Sequence, residues 1–375
     1  MSKITLILRA ETKTFEKRTP LTPMGARKII SLGHKVFVES SEMRIFKDEM
    51  YAEVGCELVT PGFWKSAPIT SFILGLKELE EESFPLSHRH IYFAHAYKGQ
   101  EGADKILDRF IQGGGKLYDL EFLLDENNRR VAAFGAWAGF AGAAMAVFAW
   151  IQREKKSSLN KVSPIGDFSD QDELVKYLKE ELDVLGHLPR AIVIGHRGRC
   201  GSGAVRLFEM LNIQTVKWGS KETKDKGPFK EILDYEILVN SVYLREKIAP
   251  FLTREFLATE EKHLQVISDV SCDPNGPHNP LPIYSECTTF RSPCLQIAND
   301  VELIAIDNLP TLLPKESSED FEAQLLPHLR QILAGEIEGT VWEKSLEYFF
   351  ETTMEMGLEY TPNYNNLQVT NNLLM

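Results

Sequence analysis

Residues 191–211, Ala-Ile-Val-Ile-Gly-His-Arg-Gly-Arg-Cys-Gly-Ser-Gly-Ala-Val-Arg-Leu-Phe-Glu-Met-Leu, constrain this chain more than any other stretch. A short apolar run enters the segment, glycines fill its middle, and an amphipathic helical pattern leaves it. That layout predicts a strand, a tight turn and a helix N-terminus built to hold a phosphate. A helix N-terminus presents unpaired N–H groups and partial positive charge, and glycines let a pyrophosphate approach the backbone. The glycines stand at 195, 198 and 201, with Gly203 behind them. This is Gly-x-x-Gly-x-x-Gly rather than the strict G-x-G-x-x-G, so the motif alone also fits a glycine-rich turn that binds nothing.

The flanking pattern is α/β throughout. In the first third, strands are predicted at 4–8, 35–38, 71–74, 90–94 and 116–120, with helices at 23–32 and 102–112. Strands alternating with helices imply a parallel, doubly wound sheet. A helix over 136–152 leads into a polar linker, 153–166. The pattern then restarts with a helix at 172–185, the strand at 191–195 and a helix at 203–211. Further strands are predicted at 214–218, 237–240, 266–270 and 304–306. After Pro314 come helices over 321–334, with a break at Pro327, and 341–356, then an Asn-rich tail from Tyr360. The expectation is two Rossmann-like doubly wound domains. Residues 1–133 with 315–375 form a discontinuous substrate domain, because the last helices pack back on it, and 134–314 form the dinucleotide-binding domain.

A length of 375 residues is enough for two cores of ordinary size. The formal net charge of −12 argues against nucleic acid or an anionic membrane as a partner. Cys56, Cys200, Cys272, Cys287 and Cys294 are odd in number and show no C-x-x-C spacing, which fits free thiols in a reducing cytosol. The chain enters its first strand with no signal-peptide pattern, so a cytoplasmic location is expected. The apolar run 132–151 is marginal in length for a membrane span. Its Gly135-x-x-x-Gly139 spacing allows close helix packing, and it reads as a buried helix.

Several segments carry a common signature in order. They are Arg9-Ala-Glu-Thr-Lys-Thr-Phe-Glu-Lys-Arg18-Thr-Pro, Gly75-Leu-Lys77-Glu-Leu, Tyr92-Phe-Ala-His95-Ala-Tyr-Lys98-Gly-Gln100 and Tyr118-Asp-Leu-Glu121. Arg129-Arg130 with Phe134-Gly-Ala-Trp, Gly198-Arg-Cys-Gly-Ser-Gly, Lys221-Glu-Thr-Lys, Asp269-Val-Ser271, Pro277-His-Asn-Pro and Asp307-Asn-Leu-Pro complete the set. Together they resemble the NAD-dependent, lysine-forming saccharopine dehydrogenase family, relatives of alanine dehydrogenase. The resemblance covers nearly the whole chain up to the tail. It implies a cleft between the two domains and reversible oxidation of saccharopine, with water, to lysine and 2-oxoglutarate. This is the last step of lysine synthesis through aminoadipate.

Oxidising a secondary amine requires removing a proton, passing a hydride to a nicotinamide and hydrolysing an imine, so a base and a second acid–base group are needed. The resemblance implies Lys77 as the base and His95 as the acid–base group for imine hydrolysis. Arg18, Lys98 and Arg130 are expected to act as cationic neighbours of Lys77, with Glu121 opposing them. Saccharopine carries three carboxylates, and the implied substrate residues are Arg18, Lys98, Gln100, Arg130, Phe134, Ser271, Cys272 and Asp273. For NAD they are Arg129, Gly198, Arg199, Thr223, Tyr243, Val270, Ile306, Asp307, Asn308 and Leu309. Without the resemblance, Lys77 reads as a solvated surface lysine, the 11–18 segment as a mixed-charge loop, and Asp307 as a turn or N-cap residue. His88, His90 and His95 lack partner spacing for a metal, and none is expected.

One departure stands out. Family members carry Asp after the Lys-Trp pair that ends the second strand of the dinucleotide domain, where an acid reads the adenosine ribose. Here Lys217-Trp218 is followed by Gly219, with Lys221 and Lys224 nearby. Use of NADP beside NAD is therefore left open. Two other readings remain: an alanine- or opine-type dehydrogenase with another amine substrate, and a non-catalytic nucleotide-binding homologue. A monomer acting on small molecules is expected.

Overall fold

The structure, a computed structural model, describes residues 3–161, 166, 168–224, 226–244, 246–298 and 300–358. The Asn-rich tail from Tyr360 and part of the polar linker lie outside the described residues. The chain divides into two compact units, Met1–Ala133 with Ser317–Met375, and Phe134–Glu316.

In unit 1 the strands are β1 (Thr5–Leu8), β2 (Lys35–Glu39), β3 (Glu57–Val59), β4 (Phe72–Leu74), β5 (Arg89–Tyr92) and β6 (Lys116–Asp119). They form one sheet in the order β3-β2-β1-β4-β5-β6, parallel throughout. Leu6, Ile7, Leu8, Phe72, Ile73 and Leu74 are almost wholly buried, as a parallel sheet covered on both faces requires. Helix α1 (Pro23–Ser31) is started by the Thr22 hydroxyl accepting from the Gly25 N–H, with Pro23 in the first turn. The short helix α2 (Asp48–Glu53) follows β2, and α3 (Ala103–Gly113) covers the sheet with Leu107, Phe110 and Ile111. Strand order reverses between β1 and β4. The loops leaving these two strands therefore part in opposite directions and open a crevice at the sheet's C-terminal edge.

Unit 2 opens with α4 (Gly135–Glu154) and α5 (Gln171–Leu185) and holds β7 (Ala191–Ile194), α6 (Arg199–Met210), β8 (Thr215–Trp218), α7 (Ser220–Thr223), β9 (Ile237–Asn240), α8 (Arg254–Thr259), β10 (Val266–Asp269), β11 (Leu295–Ala298) and β12 (Val301–Ile304). The sheet order is β11-β12-β10-β9-β7-β8, and only β11 runs antiparallel to its neighbour. Its switch point lies between β7 and β9. Helix α4 is long and apolar enough to cross a membrane, yet 78% of its apolar window is buried inside the structure. Its packing against α6 is made possible by two glycines. A Cβ on Gly139 would lie 1.7 Å from the Cys200 carbonyl oxygen, and one on Gly203 would lie 1.8 Å from that of Ala136.

Three sequence expectations are corrected. Helix α6 starts at Arg199, not 203: Gly201 in its first turn and Gly203 in its second serve close backbone contact from within the helix. The strand expected at 304–306 lies at Val301–Ile304, where the ladder to β10 runs, and Ile306 makes only an isolated bridge to Thr288. Pro327 does not break its helix: α9 runs from Pro314 to Leu333. Proline inside a helix costs roughly 3 kcal/mol, but Leu325, Leu326 and Leu329 beside it are buried, and that packing holds the helix together. Helix α10 (Val341–Glu355) closes unit 1, with Trp342 edge-on to Tyr118 of β6 at 5.7 Å between ring centroids.

Replacing Gly203 by Ala drives a methyl into the α4 backbone, which cannot give way as a flexible side chain would. The expected cost is about 2 kcal/mol, on the order of 5 °C in melting midpoint. Calorimetry checks this, and an unchanged midpoint contradicts the packing described.

Candidate active site

Lys77 lies just past β4, at the switch point of the first sheet. Its backbone is held from both sides by the segment leaving β1. The Glu11 carboxylate accepts from the N–H groups of Leu76 at 2.6 Å and Lys77 at 2.9 Å, while the Arg9 guanidinium donates to the Lys77 carbonyl. Arg9 and Glu11 are themselves 3.5 Å apart. The Lys77 backbone is thus fixed, whereas its Nζ makes no hydrogen bond or ion pair among the described residues, and the residue is half-buried.

His95 follows the neighbouring strand β5. The Phe93 N–H donates to the Leu76 carbonyl at 3.1 Å, so the two strand ends run side by side and bring residues 77–78 and 94–95 together. His95 Nδ1 bonds Glu78 Oε1, leaving Nε2 without a partner among the described residues. His95 has φ +53°, a conformation that non-glycine residues rarely adopt and that concentrates at functional sites. The Glu78 hydrogen bond raises the His95 pKa above its ordinary value; burial opposes it, and the Glu78, Glu121 and Asp119 charges add to the rise. Burial pushes Glu78 upward, but the His95 bond and the charges of His95 and Lys77 bring it down to about 2.

Beyond β6, Asp119 is fully buried and accepts from the N–H groups of Glu121 at 2.8 Å and Ala94 at 3.3 Å. Burial dominates its titration and lifts it to about 6. Glu121 accepts from Lys98 Nζ at 2.8 Å and from Arg130. Arg18 is 4% exposed and forms a bidentate pair with Glu16, Nε to Oε1 at 2.8 Å and Nη2 to Oε2 at 2.6 Å. The expected cationic neighbours of Lys77 are therefore not bare charges: each is met by a carboxylate. Gln100 accepts from the Lys98 N–H at 2.7 Å. Gln100, His95, Glu78, Lys105 and Arg109 line a cavity of about 370 Å³ within unit 1. His88 and His90 turn into the core against Trp64, apart from His95. Arg129 is exposed and its N–H is held by Asp125.

In unit 2 the candidates gather at the C-terminal ends of β7, β9, β10 and β12. Gly195 has φ +85°, the Gly198 N–H returns to the Gly195 carbonyl at 3.0 Å, and Gly198 caps α6 ahead of Arg199. A Cβ on Gly201 would lie 2.2 Å from the Gly195 oxygen, so the turn itself demands that glycine. At Gly198 the nearest atom would be 3.4 Å away, so the protein's own packing leaves space there. That open position beside the first-turn N–H groups of a helix fits a dinucleotide pyrophosphate. After β10, Ser271 donates through Oγ and N to Asp269 at 2.5 and 3.1 Å, and Asn240 and Tyr284 complete that carboxylate's shell. Cys272 has φ +46°, and its Sγ lies 3.1 Å from that of Cys287. Val270 and Leu309 pack against α4 at Gly142, Thr223 is buried, and Tyr243 is 71% exposed. Ile306 is buried, Asp307 is exposed, and Asn308 rather than Asp307 caps the turn that follows. Asp273 folds over Gly276, and Phe134 precedes α4.

Glu11, Glu16, Glu78 and Asp119 were not singled out from sequence as site residues. Each stands within two residues of one that was, or in a quoted motif, but its partner is set by tertiary pairing.

Residues 7–141 match the family "Alanine dehydrogenase/PNT, N-terminal domain" and residues 193–348 the matching C-terminal domain. The chain is 44% identical over 365 residues to "Saccharopine dehydrogenase [NAD(+), L-lysine-forming]" of Yarrowia lipolytica, covering 94% of this chain and 99% of that one. It is 45% identical to the protein of the same name from Emericella nidulans, over 91% and 95% of the two chains. Among solved structures, an L-alanine dehydrogenase superposes with a TM-score of 0.62 at 17% identity over 97% of this chain and 98% of that one. A transhydrogenase from Sinorhizobium meliloti gives 0.62 at 14% identity, over 91% and 97%. These two likenesses concern the fold.

The Glu78–His95 pair has a signed pH dependence. A raised histidine contributes stability fully present below its ordinary value of 6.5 and lost as pH rises through the raised value. The lowered Glu78 contributes above its ordinary 4.5, a contribution lost as pH falls through about 2. In Glu78→Gln, the His95 pKa read from its imidazole proton resonances is expected to fall, since the hydrogen bond and charge of Glu78 that raise it are lost. An unaltered pKa contradicts the pairing.

Proposed function

Because the chain belongs to the NAD-dependent, lysine-forming saccharopine dehydrogenase family, we propose that it interconverts saccharopine, NAD and water with L-lysine, 2-oxoglutarate and NADH. It is an oxidoreductase acting on a CH–NH donor in lysine biosynthesis. The observation that carries the assignment of roles is the pairing of strand ends: Lys77 with an unengaged Nζ after β4, and His95 with a carboxylate-held Nδ1 after β5.

In the direction of saccharopine cleavage, Lys77 takes the proton of the secondary amine. Its backbone clamp between Arg9 and Glu11 fixes where the side chain starts, so little ordering is left to the moment of reaction. Bound NAD supplies the hydride acceptor for the carbon that carries the amine. His95 then serves the imine: neutral, it takes a proton from the attacking water, and as imidazolium it gives one to the departing lysine nitrogen. Glu78 keeps Nδ1 occupied, so Nε2 faces the substrate, and the raised pKa keeps the protonated form present near neutrality.

Lys98 and Arg130 hold substrate carboxylates, with Glu121 keeping both in place until the substrate arrives. Arg18, fixed by Glu16, presents a positive edge that cannot swing away. Gln100, Phe134, Ser271, Cys272 and Asp273 line the substrate. Gly198, Arg199, Thr223, Tyr243, Val270 and residues 306–309 hold the dinucleotide. On this reading unit 1 handles protons and unit 2 the nucleotide. The same reading takes the protein as a cytoplasmic monomer, consistent with its five free cysteines.

NADH oxidation is expected only when lysine and 2-oxoglutarate are both supplied; faster turnover with another amine and oxo acid would instead support an opine- or alanine-type dehydrogenase. Lys77→Met is expected to lower kcat by at least about 100-fold while NADH binding, read by fluorescence, stays the same. Undiminished turnover in that variant contradicts the role given to Lys77.

A further inference from the structure

The end of β8 lacks the residue that dinucleotide-binding folds use to discriminate their cofactor. In such folds an acid at the end of the second strand accepts from the ribose hydroxyls of NAD and repels the 2′-phosphate of NADP. Here β8 is the strand beside β7 and its glycine turn, and it ends at Trp218. Gly219 follows, with no side chain to offer.

The adjoining turn brings a carboxylate back to that position. Glu222, three residues on, folds over so that its Oε2 accepts from the Gly219 N–H at 2.7 Å. A Cβ built on Gly219 would lie 3.7 Å from the same Oε2, so the Glu222 carboxylate stands beside the space a residue-219 side chain would enter. Its Oε1 makes no hydrogen bond among the described residues, and the side chain is exposed. One oxygen is therefore pinned by the backbone and the other is open to accept. The turn is locked by further contacts: Thr223 Oγ1 donates to the Gly219 carbonyl at 3.1 Å, and His196 Nδ1 lies 2.8 Å from the Trp218 carbonyl oxygen. Lys217, which precedes Trp218, is held by Glu209 at 2.8 Å. The Gly219 N–H, with smaller help from the charges of His196 and Arg197, favours the ionised form of Glu222.

We propose that Glu222 takes over the ribose-reading role at the end of β8, accepting from the adenosine ribose hydroxyls and setting the preference for NAD over NADP. The proposal rests on the dinucleotide reading of unit 2 given above. It makes two features of the turn agree: the absent side chain at 219 leaves room for the ribose, and the capping carboxylate supplies the missing acceptor.

The test is nucleotide binding, separate from turnover. NADH and NADPH are titrated against the full chain by fluorescence, for the unmodified protein, for Glu222→Gln, and for Glu222→Gln carrying Gly219→Asp. The glutamine keeps an oxygen for the Gly219 N–H, so the turn and the melting midpoint are expected to persist. The unmodified protein is expected to favour NADH at least tenfold. In Glu222→Gln that ratio is expected to shrink by tenfold or more, mainly through gain of NADPH affinity, and Gly219→Asp is expected to restore it. An NADH preference in Glu222→Gln equal to that of the unmodified protein overturns the proposal alone. Binding of neither nucleotide by the unmodified protein overturns the dinucleotide reading and the proposal together.

Discussion

Parallel strands end on one side, and in the first sheet of this protein that edge collects the charged groups. Burial there penalises every lone charge, so each carboxylate must meet a donor. Glu11 takes two backbone N–H groups, Glu16 takes Arg18, Glu78 takes His95, and Glu121 takes Lys98 and Arg130. The Glu78–His95 contact adds to the Phe93–Leu76 backbone bond in tying together the ends of β4 and β5, the two strands that Lys77 and His95 follow. Once it is made, the His95 ring has one free nitrogen and Lys77 stands next to the pair.

The same logic explains why an acidic protein is suited to an acidic substrate. A net charge of −12 coexists with a unit 1 edge where cations are concentrated but individually neutralised. Unpaired, such cations would be expensive to hold close together. Paired with Glu16 and Glu121, they are positioned in advance, so that on the proposed reading a substrate carboxylate joining them meets groups with little freedom left to lose. In unit 2 the device is different. Backbone shapes the turn there, with Gly195 at φ +85° and Gly201 packed on the Gly195 carbonyl, while at Gly198 the protein's own packing leaves space, the position proposed for a phosphate.

Much of this could be read from the chain itself, for identifiable reasons. The buried strands β1, β4, β7 and β9 are short and mostly apolar, as strands covered on both faces are, and β10, with Ser268 and Asp269 at its end, was recognisable beside them. The elements missed, α2, β3, α7, α8 and β11, are short, and β3 and β11 lie largely exposed. Helix α6 was expected one turn late because Gly201 and Gly203 are poor helix formers; tertiary contact with Gly195 and Ala136 decides their placement. At the site, Lys77 and His95 were found through the family resemblance. Glu78 sits in the same motif as Lys77, yet its partner lies 17 positions away and comes within reach only through the β4–β5 register. Glu222 likewise matters through a side chain folded back on Gly219, which composition does not reveal.

The most direct test of the central claim is chemical rescue. With Lys77 replaced by Ala, the account holds that the lost group is a proton acceptor and that the rest of the site stays in order. Saccharopine-dependent NAD reduction by the Lys77→Ala protein is therefore expected to rise with added small primary amines, more steeply for more basic ones of equal size. A variant that still binds NADH but shows no response to any amine would contradict the account.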